Sequence, residues 1–158
     1  MTDAPKGLFV PPNRLAKIID APGARDFDVL VAQAEQQIDR VRPLVEEGLQ
    51  QAIAHLIAQC SRPEDQVFSE AHAVALAAGH VVEDAAVVGQ MHIAAAAAGV
   101  AELMNALFSD GVWHSEAIEV HIAALRLFKA PHPPTPEQIA LVLRQLAEAR
   151  AVIGVKPE

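Results

Sequence analysis

The side chains with the most chemical potential in this acidic chain of 158 residues are its seven histidines. Imidazoles can ligate a metal, move protons or accept a phosphoryl group, and each use needs its own spacing. A metal site in a helical bundle calls for Glu-x-x-His on facing helices or His-x-x-x-His on one face, so that the ligands converge. Neither spacing occurs. His80 and Glu83 stand in the reverse order and Asp110 and His114 flank a turn, so no metal and no cofactor is expected. The single cysteine, Cys60, reads as a packed side chain beside Ile57 rather than a nucleophile, because no paired base accompanies it.

Phosphoryl relay on histidine requires an exposed ring nitrogen, small neighbours that let a partner's active site close over it, and preferably a nearby cation. His72 meets the first two. In the segment from Ser69 to Gly79, the positions Val67, Ala71, Val74 and Ala78 make an apolar stripe, and His72 lies roughly 110 to 120° from its centre. Ser69, Ala73 and Leu76 lie beside it and would form the docking surface. His92, followed by five alanines and Gly99, is the weaker candidate, because that run resembles a helix-packing surface. His121, set among Ile118, Ile122 and Leu125, reads as a buried structural residue, and His55, His80, His114 and His132 as ordinary surface or half-buried side chains.

These residues must be carried by helices. Leu30, Ala34, Ile38, Val41, Val45, Leu49, Ala52 and Leu56 recur every three or four positions, which predicts one amphipathic helix over about 26–59, kinked at Pro43. Ser61 and Glu64 have capping-box spacing, so a second helix is expected from Ser61 to Gly79. A third is expected from Glu83-Asp84 to about Phe108. A fourth should run from Ser115 to about Lys129, and a fifth should open at Thr135-Pro136-Glu137-Gln138, where cap, first-turn proline and third-position glutamine agree. Before all of these, residues 1–25, with Pro11, Pro12 and Pro22-Gly23, read as an extended N-terminal arm. Residues 26–158 read as a single helical domain.

Composition limits the partners. Apolar residues are 52% of the chain and aromatics only 4%, so the core must be built from Ala, Leu, Ile and Val, which suits closely packed helices. No Lys or Arg stands between Arg62 and Arg126, while nine acids do, a distribution that repels phosphate backbones and anionic lipid. No nucleic-acid or membrane partner is expected. The apolar run from Ala85 to Ala101 contains Gln90 and His92 and reads as a buried helix. The N-terminus lacks the basic-then-apolar order of a signal peptide, which with the single cysteine predicts a cytoplasmic protein.

Two stretches resemble the CheE proteins of bacterial chemotaxis operons: Phe9-Val10-Pro11-Pro12-Asn13-Arg14-Leu15-Ala16-Lys17 with Pro22-Gly23, and Gly111-Val112-Trp113-His114-Ser115-Glu116 through Leu127. Those are small helical proteins, some of which look like histidine-phosphotransfer domains. The resemblance covers the two ends of the chain. By position, Ala71-His72-Ala73-Val74 matches the phosphotransfer helix, whose pattern is His followed by Leu-Lys-Gly and a small residue; Ala75 and Leu76 stand at the lysine and glycine positions. The resemblance implies an all-α, up-down bundle with a phosphotransfer-like four-helix core plus an additional helix. It also implies a signalling protein that docks a response regulator or a histidine kinase domain. His72 would be the phospho-acceptor, or the bundle would keep the shape without the chemistry. At most the protein is a relay intermediate rather than an enzyme. The alternative is a plain interaction protein, or a homodimer formed through the alanine-rich helix face.

Overall fold

The computed structural model describes residues 27–155. The arm expected over residues 1–25, and with it the first of the two resemblance stretches, lies outside the described residues. Six helices and no strand are found among them: α1 (Phe27–Cys60), α2 (Glu64–Ser69), α3 (Ala71–Val87), α4 (Met91–Asp110), α5 (Ser115–Phe128) and α6 (Pro136–Val152). By contacts the chain divides into two compact units, Met1–Arg40 and Val41–Glu158.

In the first unit the described residues are the opening turns of α1, and every one of them from Phe27 to Arg40 is exposed. The apolar periodicity that predicted this helix is real, yet among the described residues only its second half is covered: Leu49, Ile53 and Leu56 are buried, whereas Leu30, Ile38 and Val41 are not. Pro43 lies inside the helix without ending it.

In the second unit α4 is the hub, packing against α3 most extensively and also against α5 and α6. Its alanines make this possible. Ala94, Ala96 and Ala97 are buried together with Val100, Leu103 and Met104, while Ala95 is exposed. The side chains are short, so neighbouring helices come near enough to enclose them. Among the described residues α4 is the one helix long and apolar enough to cross a membrane, and half of its apolar window is buried within the fold.

Three expected boundaries are corrected. The second helix does not start at a Ser61 cap: Ser61 Oγ donates to the Ile57 carbonyl (2.6 Å) and accepts from Arg126 Nη2 (2.7 Å), and Glu64 accepts from Trp113 Nε1 (2.7 Å). Both capping side chains are thus engaged elsewhere, and α2 begins after Pro63 with no side-chain cap. Nor does Gly79 end a helix. The break falls at Glu70, between α2 and α3, and α3 runs through Gly79, Glu83 and Asp84 to Val87. The stop is Gly89, which takes φ +76°; its N–H bonds the Ala86 carbonyl (3.2 Å) and the Gln90 N–H the Ala85 carbonyl (2.8 Å). This is a Schellman end, which a residue without Cβ adopts freely. The third expected helix therefore starts at Met91 rather than at Glu83. At α6 the sequence pattern holds in full: Gln138 N–H donates to Thr135 Oγ1 and Thr135 N–H to Gln138 Oε1.

Candidate functional site

The exposed face of α3 carries the relay candidate. Val67, Ala71, Val74 and Ala78 are all buried, so His72 turns outward and is exposed, as are Ala73 and Leu76. Across from it on α4 stands Phe108, 54% exposed, whose ring meets the imidazole edge-on at 6.0 Å between centroids. Leu76, one turn along α3, is 55% exposed. Among the described residues no hydrogen-bonding group engages the His72 ring. Ser69 belongs to α2, beyond the break at Glu70, and its hydroxyl donates to the Gln66 carbonyl (2.9 Å). The candidate docking residues therefore divide between two helices. Phe108, which the sequence reading used only as a helix end, is the missed member of this face; nothing local in the sequence shows that α4 returns alongside His72.

His92 is placed differently. It is half-buried at the start of α4, its ring edge-on to Phe128 at 5.0 Å, and burial holds its pKa below the ordinary imidazole value. A half-buried imidazole offers a partner less in-line access than the exposed ring of His72. Cys60 is half-buried, and burial outweighs the nearby Arg62 to push its thiol up to about 11, so it stays protonated and unreactive at neutral pH.

The structure also assembles a polar cluster that the sequence did not announce. His121 on α5 is fully buried, its Nδ1 2.7 Å from the Ala117 carbonyl and its Nε2 2.8 Å from Arg150 Nη1 on α6. Since a guanidinium only donates and a carbonyl only accepts, the ring must be neutral with its proton on Nδ1. Burial is the chief cause that lowers the His121 pKa, with the Arg150 charge acting in the same direction against the Ala117 hydrogen bond. Arg150 Nε lies 2.8 Å from Glu102 Oε2 on α4, a charge pair without the alignment of a hydrogen bond, with the two side chains 14% and 18% exposed. Gly99 lies directly beneath: a Cβ there would overlap the His121 ring and the Arg150 guanidinium. The cluster locks α4, α5 and α6 together. His121 has no solvent access, which makes it structural rather than catalytic.

The two cations that bracket the cation-free stretch come together at one open cleft of about 480 Å³ with Cys60, Ser61 and Glu119. Both are engaged, Arg126 with Ser61 of the cleft and Arg62 with Glu70 at 2.8 Å. Among the described residues no group of three or more His, Cys, Asp or Glu side chains is arranged to hold a metal ion.

No protein-family profile matches the chain, and neither the curated proteins nor the solved structures contain a match.

Proposed function

We propose that this protein is a chemotaxis or two-component signalling component, a phosphotransfer-like up-down bundle that docks a response-regulator receiver or a histidine kinase domain through the His72 face. The observation that carries the reading is an exposed imidazole accompanied by exposed Ala73, Leu76 and Phe108. An apolar rim around a small-residue centre gives a partner a dry contact and room to approach the ring. In the relay step the ring nitrogen attacks the phosphorus of an aspartyl phosphate; the P–N bond forms, the P–O bond to the carboxylate breaks, and the ring gives up its proton. Such partners act in the cytoplasm, and the reading places the protein there.

The resemblance to CheE proteins supports this reading, and the absence of a lysine three residues after His72 leaves the docking role stronger than the transfer role. The test is to mix the protein with receiver domains and histidine kinase domains from its own cell, the receivers phosphorylated by acetyl phosphate, and to measure association and acid-labile phosphate. Association is expected, weakened by Leu76→Glu and Phe108→Glu. Phosphate that is lost in His72→Gln assigns the relay; association without phosphate assigns docking alone. No association with any receiver or kinase domain overturns the reading.

The second reading, an interaction protein without phosphate chemistry, is favoured by the exposed apolar residues of α1.

A further inference from the structure

Helix α6 is attached to its unit by few apolar side chains. Leu146 is its one buried residue and Val155, three positions past its end, is a second anchor, whereas α4 buries nine residues and α5 seven. Ile139, Val142 and Leu143 are only half-buried against the core. Apolar burial therefore stabilises α6 in place less than its neighbours, and the polar contacts of Arg150 carry a larger share of the attachment. Arg150 links α6 to α5 through His121 and to α4 through Glu102. The second anchor depends on the same residue, because the Val155 N–H donates to the Arg150 carbonyl (3.0 Å).

The contact with α5 exists only while His121 is neutral. Its Nδ1–H donates to the Ala117 carbonyl, so a second proton must go to Nε2, the atom that accepts from Arg150 Nη1 at 2.8 Å. Two cationic donors would then face each other at hydrogen-bond distance with no acceptor between them. The ring has no room to withdraw, since it lies against the backbone at Gly99, where even a Cβ would overlap it. The charged groups around it are Arg150 from α6 and Glu102 from α4, and Glu102 is already committed to Arg150. The partner with freedom to move is the guanidinium, and with it the C-terminal end of α6.

We infer that His121 is a proton-operated latch: when its second ring nitrogen takes up a proton, Arg150 is expelled, and α6 with the turn through Val155 comes away from α4 and α5 while the other helices of the unit stay folded. In the open form the imidazole is in water and titrates at its ordinary value of 6.5; in the closed form burial, above all, holds it lower. The closed form is thus fully favoured above that pH and loses ground as the pH falls through it. One unit below, at pH 5.5, linkage raises the open population by up to about tenfold. The latch shares no residue with the His72 face, and the two proposals stand or fall separately.

The test is native-state hydrogen exchange of the full-length protein at pH 8 and pH 5.5, in urea below the unfolding transition, with rates corrected for the pH dependence of exchange itself. The amides of Pro136–Val152 should open with weaker protection and a smaller urea dependence than those of α3, the mark of a sub-global opening. Their opening constant should rise by up to about tenfold at pH 5.5, with the small urea dependence kept. His121→Gln, whose amide oxygen accepts from Arg150 at either pH, should flatten that rise; His92→Gln, which removes the other histidine with a lowered pKa, should leave it. If the α6 amides share the protection and urea dependence of α3 at both pH values, the domain opens only as a whole and the proposal is overturned. An opening constant that moves by less than about twofold overturns it too, as does a rise that persists in His121→Gln or vanishes in His92→Gln.

Discussion

His121 and Arg150, on different helices and 29 residues apart, meet at 2.8 Å, the guanidinium donating to the one ring nitrogen that carries no proton. A buried histidine placed this way cannot take up a second proton without setting two positive charges against each other. The arrangement fixes the charge state of the cluster as well as its geometry.

The first prediction follows from that charge state. The pKa values of His121 and His92 are both lowered in the folded protein, each chiefly by burial, so the unfolded chain binds more protons once the pH falls below the ordinary imidazole value of 6.5. Stability from these groups is present above that pH and is lost as the pH drops through it towards the folded values. Melting temperatures measured from pH 8 to pH 5 should fall on the acid side, and the fall should be shallower in His121→Asn. An equally steep fall in that variant would show that His121 does not carry the effect.

Gly99→Ala should be costly although alanine favours helices over glycine by about 1 kcal/mol. The new Cβ would overlap the His121 ring and Arg150, and neither can withdraw without breaking its own bonds. A net loss of about 1 to 3 kcal/mol in urea unfolding is expected. A stabilised variant would mean that the three helices have slack at this point.

Arg150→Met should destabilise by about 2 to 4 kcal/mol, because it strands the Glu102 carboxylate and the bare ring nitrogen of His121 together. Glu102→Gln in the same background should recover part of the loss. A double variant no more stable than the single one would mean that the pair contributes nothing.

Within the alanine run, position decides the effect. Ala97→Leu should overpack the α4 interface at a cost of about 1 to 3 kcal/mol, while Ala95→Leu, two residues away and exposed, should stay within about 0.5 kcal/mol of the parent protein. Thermal melts distinguish the two, and equal shifts would contradict the placement of the run.

Binding to DNA, RNA or anionic vesicles at physiological salt is expected to be undetectable by gel shift and co-sedimentation. The segment from Pro63 to Leu125 contains no lysine or arginine to displace counterions, and Arg62 beside it is paired with Glu70. Salt-sensitive submicromolar binding would contradict this.

The sequence by itself determined that the chain is helical, that α6 opens at Thr135, and that His72 faces out while His121 faces in. Each of these depends on spacing along one helix or on side chains three residues apart, and such interactions are written in local order. It misplaced the ends of the second and third helices because Ser61, Glu64 and Gly79 have the right types for a cap and a stop. Arg126 and Trp113, far along the chain, claim the two capping groups, and the positive φ is spent at Gly89 rather than Gly79. Only the tertiary structure decided that Phe108 stands beside His72, that Arg150 and Glu102 close over His121, and that among the described residues only the second half of the α1 stripe is buried. Those relationships are set by how helices cross, and periodicity shows that a face is apolar without showing what, if anything, lies against it.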